Sequence, residues 1–431
     1  MIGLRLVPFV LLALTSVSLA TEGHAHDEPQ FVLRSTDAIA GEKSTGSKGQ
    51  SGSRCSKHAL ACPSIPSNAT TKTNAKLPNP FSFVGDGSPV RTKEDWACRR
   101  AEISQLFQTY ELGTLPGRPQ SLNGTYSGGR LTVNAGENGK SISFQATITL
   151  PSSGSAPYPA IIGVGGSSIP TPSGVAVITF NNNDMALQNN ADSRGQGKFY
   201  QLYGANHSAS SMMAWAWGIS RIIDVLETLP QVPIDLSRLA VTGCSRNGKG
   251  ALVAGAFEER IALTIPQESG SGGSGCWRIS DAMFADGIVT QTASEIVQEN
   301  VWFSTAFANY VDKVPVLPFD HHMLAGLVAP RGLFVIDNPD YVWLGPESVW
   351  GCMSTGTKVF QALDVADHMG ISQVGGHAHC NFPSNQQADL DAFINKFLKG
   401  QQTNTNILRN DGNGYGFVES DWVDWSVPKL E

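Results

Sequence analysis

The sequence predicts an α/β fold, a three-layer sandwich around a mostly parallel central sheet. Two observations carry that prediction. Short apolar runs of strand length recur at 160–165, 175–181, 239–241, 261–266, 332–336 and 371–374. Stretches with apolar residues three or four apart stand between several of them, as in Met212, Trp215, Ile219, Ile222 and Leu226. Strands alternating with helices imply crossover connections, and those build a parallel sheet. Such a sheet presents its functional side chains at the carboxyl ends of its strands.

The chain opens with a signal-peptide pattern over 1–20. Arg5 gives the positive start, residues 6–14 an apolar core too short to span a bilayer, and Ser18-Leu19-Ala20 a small-x-small cleavage site. Residues 21–60 are polar and poor in aromatics, with Gly-Glu-Lys-Ser-Thr-Gly-Ser-Lys-Gly-Gln-Ser-Gly-Ser at 41–53, and read as a flexible extension. One folded catalytic domain is expected over 61–431, with no second module and no internal repeat. Residues 94–110 read as an amphipathic helix. Residues 131–150 alternate polar and apolar across Asn138-Gly139, a hairpin signal. The strands at 160–165 and 175–181 enclose a Gly-, Ser- and Pro-rich loop. After the 212–226 helix come the 239–241 strand and a small-residue helix at 251–256. The 261–266 strand is followed by a long loop, then by the strands at 332–336 and 371–374. A helix over 388–398 closes the domain.

Lys and Arg number 30 against 37 Asp and Glu, a net charge of −7. That balance argues against a nucleic-acid partner, because phosphate binding needs a basic face. No later run is long and apolar enough to cross a bilayer, so a secreted, extracellular monomer with no membrane partner is expected. Export makes disulfides the default for the seven cysteines. Cys55 lies in the polar extension and is the natural one to leave out. Cys62, Cys98, Cys244, Cys276, Cys352 and Cys380 remain. Three sequons, at Asn68, Asn123 and Asn206, suit a secreted glycoprotein.

The chemistry centres on Val241-Thr242-Gly243-Cys244-Ser245-Arg246-Asn247-Gly248-Lys249-Gly250. A strand runs in and a helix runs out, with Gly-x-Ser between them. This is the front half of a nucleophile elbow, in which a sharp turn holds the Ser245 hydroxyl clear of the backbone. The usual second glycine, two residues after the serine, is here Asn247, a residue that tolerates left-handed φ. In the α/β-hydrolase fold the serine is followed by an acid and then a histidine. His377 and His379 follow the last strand, where that fold keeps its base. Their spacing also suits a zinc site, but no third ligand or His-Glu-x-x-His pattern accompanies them, so no metal is expected. Cys380 separates the two histidines: a disulfide from Cys244 to Cys380 would tie the nucleophile to His379 and leave His377 structural. Two carboxylates follow strands at the same edge, Glu268 and Asp337. The residues alone favour Asp337 slightly, as nearer the usual acid position.

Gly-Cys-Ser-Arg-Asn-Gly-Lys-Gly, Pro-Gln-Glu-Ser-Gly-Ser-Gly-Gly, Cys276-Trp277-Arg278 and Gly-His-Ala-His-Cys-Asn-Phe-Pro together resemble the fungal glucuronoyl esterases of carbohydrate esterase family 15. The resemblance runs from about Cys62 to the carboxyl terminus. It implies a serine hydrolase of α/β-hydrolase fold, needing no cofactor, that cleaves esters between 4-O-methyl-glucuronic acid of glucuronoxylan and lignin alcohols. It implies Ser245 as nucleophile, His379 as base and Glu268, against the slight preference above, as acid. It implies the pairs Cys62–Cys98, Cys244–Cys380 and Cys276–Cys352, an oxyanion role for Arg246, and sugar contacts from Lys249, Gln291, Glu299 and Trp343. Those types suit the task, since amides and carboxylates bond hydroxyls and an indole offers a pyranose a flat face. Two rivals stand beside this: another carbohydrate esterase such as an acetyl-xylan esterase, and a non-catalytic carbohydrate-binding relative.

Overall fold

A computed structural model describes residues 62–411 and 416–431. The signal pattern, the polar extension and Cys55 lie outside these residues. Among the described residues ten strands form one sheet: β1 Ser121–Ser127, β2 Arg130–Glu137, β3 Lys140–Thr149, β4 Tyr158–Val164, β5 Ala176–Phe180, β6 Ile234–Cys244, β7 Ile261–Gln267, β8 Gly332–Asp337, β9 Met369–Gln373 and β10 Leu408–Asn410. Their order is β1-β2-β3-β5-β4-β6-β7-β8-β9-β10. The pairs β1–β2, β2–β3 and β3–β5 are antiparallel, and all others are parallel.

The hairpin forms where the sequence puts it. Glu137 pairs with Lys140 across two residues, and Asn138 and Gly139 take φ of 47° and 76°, as a tight turn that matches the strand twist demands. β3 then buries every second side chain. β7 and β8 are buried throughout. Their period of two divides them between two cores. Leu333 and Val335 join Ile162, Leu239 and Val241 in the larger one, against the helices Ser211–Glu227, Arg246–Phe257, His321–Val328 and Pro346–Ala362. Phe334 and Ile336 join Ile161, Ala240 and Leu263 on the opposite face, under Leu390, Phe393 and Phe397 of the helix Gln387–Phe397. Two covered faces around one sheet make the three layers.

Several elements differ from expectation. The stretch between β7 and β8 is not one long loop, since it carries the helices Trp277–Ala285, Ala293–Glu299 and His321–Val328. They are short, and side-chain caps start two of them: Thr292 accepts from the Glu295 amide and Asp320 from that of His321. The sequence does not announce the helix Pro346–Ala362, because Gly351, Gly356 and its Ser and Thr residues lower its propensity, and burial against the sheet overrides this. β1 has no fully buried face and β10 has three residues, too little pattern to read. The predicted 94–110 helix is α-helical over Lys93–Phe107. It then widens into a π-helical turn, Gln108–Leu112, ended by Gly113 at φ 77°.

β5 lies on one side of β4 and β6 on the other. The winding therefore reverses between β4 and β6. A crevice opens at the carboxyl ends of strands at such a point. Ser245 follows β6 there.

Candidate active site

β6 runs into Ser245, which begins the helix Arg246–Phe257 at φ 59°, ψ −128°. A non-glycine residue at this φ is strained, and strain of this kind persists where the surroundings enforce it. A Cβ on Gly243 would lie 2.5 Å from the Asn247 carbonyl oxygen, and one on Gly248 would lie 2.6 Å from that of Gln267. The turn thus needs glycine at both positions, and Gly248 lets the helix approach β7. Left-handed φ is not the reason for Asn247, which lies inside the helix. Its Oδ1 accepts from Asn182 Nδ2 at 2.9 Å and from Gln188 Nε2 at 3.1 Å, tying the elbow to the segment after β5.

Glu268 follows β7 at φ 44° and is fully buried. Its Oε2 accepts from His379 Nδ1 at 2.6 Å and from the Cys380 amide at 3.0 Å. Its Oε1 accepts from Gln267 Nε2 at 3.2 Å. With Nδ1–H donating to Glu268, the neutral His379 ring presents the lone pair of Nε2. That atom is buried and has no partner among the described residues. The His379 amide donates to Tyr341 Oη at 2.7 Å, and the rings of Tyr341 and Trp343 flank the imidazole at 5.2 and 5.4 Å. Cys244 and Cys380 are joined, with Cα atoms 5.7 Å apart, so the residues beside Ser245 and His379 are covalently linked across 136 positions. Cys62–Cys98 and Cys276–Cys352 are joined as well. Cys244, His379 and Cys380 bring three metal-type ligand atoms together, but the disulfide leaves no thiolate there.

His377 is turned to the backbone. Its Nε2 donates to the Val374 carbonyl at 2.8 Å, while Asn338 Nδ2 donates to its Nδ1 at 3.2 Å. Asp337 does not hydrogen-bond to His379. Its Oδ2 accepts from Gln373 Nε2 at 2.7 Å, and its Oδ1 is buried without a partner among the described residues. Burial, with the Glu268 charge nearby, pushes its carboxyl up to about 7. The usual acid position is thus occupied by a group that resists ionisation, and the imidazole is bonded by the carboxylate one strand earlier.

Beside the elbow, Arg246 is exposed and its guanidinium has no partner among the described residues. Its amide is at the first helical position, where N–H groups lack intrahelical acceptors. The amides of Gly165 and Gly166, after β4, already donate to the Phe180 and Gly163 carbonyls. Lys249, one turn into the helix, is buried. Its Nζ donates to the carbonyls of Ser269 at 2.7 Å and Ser271 at 2.5 Å, and lies 3.5 Å from Gln291 Oε1. Burial pulls this ammonium down to about 8, with Glu299 and Glu295 opposing. Gln291 Nε2 donates to Glu299 Oε2 at 2.9 Å, and the Gln291 amide donates to the Trp343 carbonyl at 2.9 Å. Trp343 is 41% exposed, too much for a core residue. The fold therefore joins Lys249, Gln291, Glu299 and Trp343 into one patch beside His379. Sequence reasoning passed over Tyr341, Gln267, Asn182 and Gln188. All four act through supporting bonds, and only Tyr341, two positions from Trp343, carried any signal.

A family described as "Glucuronyl esterase, fungi" matches residues 133–364. The 4-O-methyl-glucuronoyl methylesterase of Hypocrea jecorina is 60% identical over 369 residues, 86% of this chain and 79% of that protein. The glucuronoyl esterase catalytic domain from the same organism superposes with a TM-score of 0.81 at 61% identity, over 84% of this chain and 98% of that one. A glucuronoyl esterase mutant from Sporotrichum thermophile, in complex with methyl 4-O-methyl-beta-D-glucopyranuronate, gives a TM-score of 0.81 at 50% identity, over 84% and 97%. By this match and these likenesses, the chain belongs to the fungal glucuronoyl esterases.

Proposed function

We propose that this chain is a secreted serine esterase that hydrolyses the ester between 4-O-methyl-D-glucuronic acid of glucuronoxylan and lignin alcohols. Ser245 Oγ attacks the uronoyl carbonyl while His379 Nε2 takes its proton. Glu268 holds the ring in the required tautomer and stabilises the imidazolium that forms. The Arg246 amide and guanidinium stabilise the oxyanion. His379 then protonates the departing alcohol oxygen, leaving an acyl-enzyme on Ser245. Water, deprotonated by the same nitrogen, releases the uronic acid. Lys249, Gln291 and Glu299 bond the sugar hydroxyls, and Trp343 faces the ring.

The observation that carries this reading is the 2.6 Å Glu268–His379 bond beside a strained Ser245, with His379 Nε2 left open. Support for the substrate comes from relatives named 4-O-methyl-glucuronoyl methylesterases and from the relative bound to a methyl glucuronate. Export through residues 1–20, a tail over 21–60 and a monomeric catalytic domain over 61–431 complete the proposal. Asn68, Asn123 and Asn206 are all exposed, as glycan acceptors must be. Methyl 4-O-methyl-glucuronate and acetylated xylan should be assayed in parallel, with Ser245→Ala as control. Turnover of the glucuronate ester, lost in the variant, is expected. Turnover of acetate alone, or uronate binding without turnover, would reject the assignment.

A further inference from the structure

Residues 269–275 read Ser-Gly-Ser-Gly-Gly-Ser-Gly, a composition with great backbone freedom. Every one of them is buried, and the Ser269 and Ser271 carbonyls seat the Lys249 ammonium. Part of what holds this loop is internal. Ser269 Oγ lies 2.8 Å from Ser274 Oγ and accepts from the Ser274 amide at 2.9 Å. The far side is held by an imidazole. His321 Nδ1 lies 2.7 Å from the Gly273 carbonyl oxygen. A carbonyl only accepts, so that nitrogen carries a proton. His321 Nε2 lies 2.7 Å from Glu111 Oε1, and Glu111 Oε2 accepts from Trp277 Nε1 at 3.3 Å. Both partners are fully buried. On the other side of Gly273, an added Cβ would stand 2.9 Å from Lys249 Cγ and 2.7 Å from Ser269 Cβ. The carbonyl held by His321 thus belongs to the residue that abuts the Lys249 stem.

We infer that Glu111 and His321 are a positioning pair for substrate recognition: a buried imidazolium fixes Gly273, and through it the seat of the Lys249 ammonium. The inference rests on the reading of Lys249 as a sugar contact. Burial works against the ring's charge, but Glu111, with Asp320 behind it, outweighs burial and raises the ring's pKa. The other groups around it do not compete. Burial lowers His322 to about 4, so it is neutral, and Arg278 is paired with Asp320. Below its raised pKa the ring serves both acceptors. As pH rises through that pKa one proton remains for two acceptors, and the loop loses a tether.

Nitrogen-15 NMR of histidine-labelled wild-type protein reads the ring directly, and steady-state kinetics on methyl 4-O-methyl-glucuronate read its effect. Both His321 nitrogens should carry protons at pH 6, below the ordinary imidazole value from which the ring's pKa is raised. Glu111→Gln should remove one of them and raise KM about tenfold, with kcat within about twofold, as for a lost buried charged hydrogen bond. Gly273→Ala, which pushes on the Lys249 stem from the other end, should raise KM in the same way. A singly protonated ring in the wild type would overturn the inference even if the variants fail to fold. So would an unchanged KM with a lowered Tm, the sign of a purely structural pair. Failure of the wild type to turn over the ester would strike the proposed function instead, and the ring's protonation state would still be read.

Discussion

Glu268 with His379 and Glu111 with His321 are the same two groups at nearly the same spacing, 2.6 and 2.7 Å. They differ in the ring nitrogen that the carboxylate leaves over. In His321 that atom is bonded to the Gly273 carbonyl, and the whole pair is fully buried. In His379 it has no partner among the described residues, and 25% of the side chain is exposed beside the elbow. A carboxylate holds an imidazole in place in both sites. Only an unengaged second nitrogen next to a strained serine makes the pair able to move a proton. Asp337 makes the same point from the other side, because it ends β8 at the usual acid position yet bonds Gln373.

The comparison breaks most severely at the ring. His379→Gln should lower kcat by roughly 10^5- to 10^6-fold on methyl 4-O-methyl-glucuronate, since nucleophile and base act as a unit. His377→Gln, with its Nε2 on the Val374 carbonyl, should keep most activity. A smaller effect is expected at the sugar side. Lys249→Met should raise KM by about 10- to 100-fold, the range for a charged hydrogen bond. The wild-type ammonium is charged below about pH 8, so KM should climb as pH passes through about 8, and the variant should lack that rise. Opening the Cys244–Cys380 link by paired Ser substitutions should cost about 2–5 kcal/mol of stability in chemical denaturation. Its catalytic effect should be modest, because Glu268 still holds His379.

The smallest expected effect concerns Asp337, and its sign is definite. Burial and Glu268 raise its carboxyl from 3.8 to about 7. A raised folded pKa means stability that is full below the unfolded value and is lost as pH climbs through the folded one. Wild-type Tm should therefore decline between about pH 4 and 7 by a component that Asp337→Asn removes.

The sheet's centre was legible because fully apolar strands and one helix with an unbroken three-and-four step leave little choice. The hairpin was legible because Asn138-Gly139 has a backbone consequence at once. The helices between β7 and β8 were not, being short and specified by caps and tertiary burial. At the site, the elbow pointed to Ser245, and a Cys244–Cys380 link, conditional in the residues and implied by the resemblance, pointed to His379; the structure forms that link. Glu268 could not be chosen over Asp337 from the residues alone, because what separates them is which strand end faces the imidazole. Only the family resemblance favoured it. The role of Asn247 was misread for a similar reason: its partners, Asn182 and Gln188, lie about 60 positions away. His321 gave no signal, since its partners Glu111 and Gly273 are far apart in the chain.

In the proposed triad the acid is set by geometry just past β7 and not by the customary position at the end of β8. Turnover of methyl 4-O-methyl-glucuronate by Glu268→Gln and Asp337→Asn, measured side by side, tests it most directly. Glu268→Gln should lose roughly 10^4-fold in kcat, as when a triad acid is made neutral, and Asp337→Asn less than about threefold. A large loss at Asp337 with Glu268→Gln nearly as active as the wild type would contradict it.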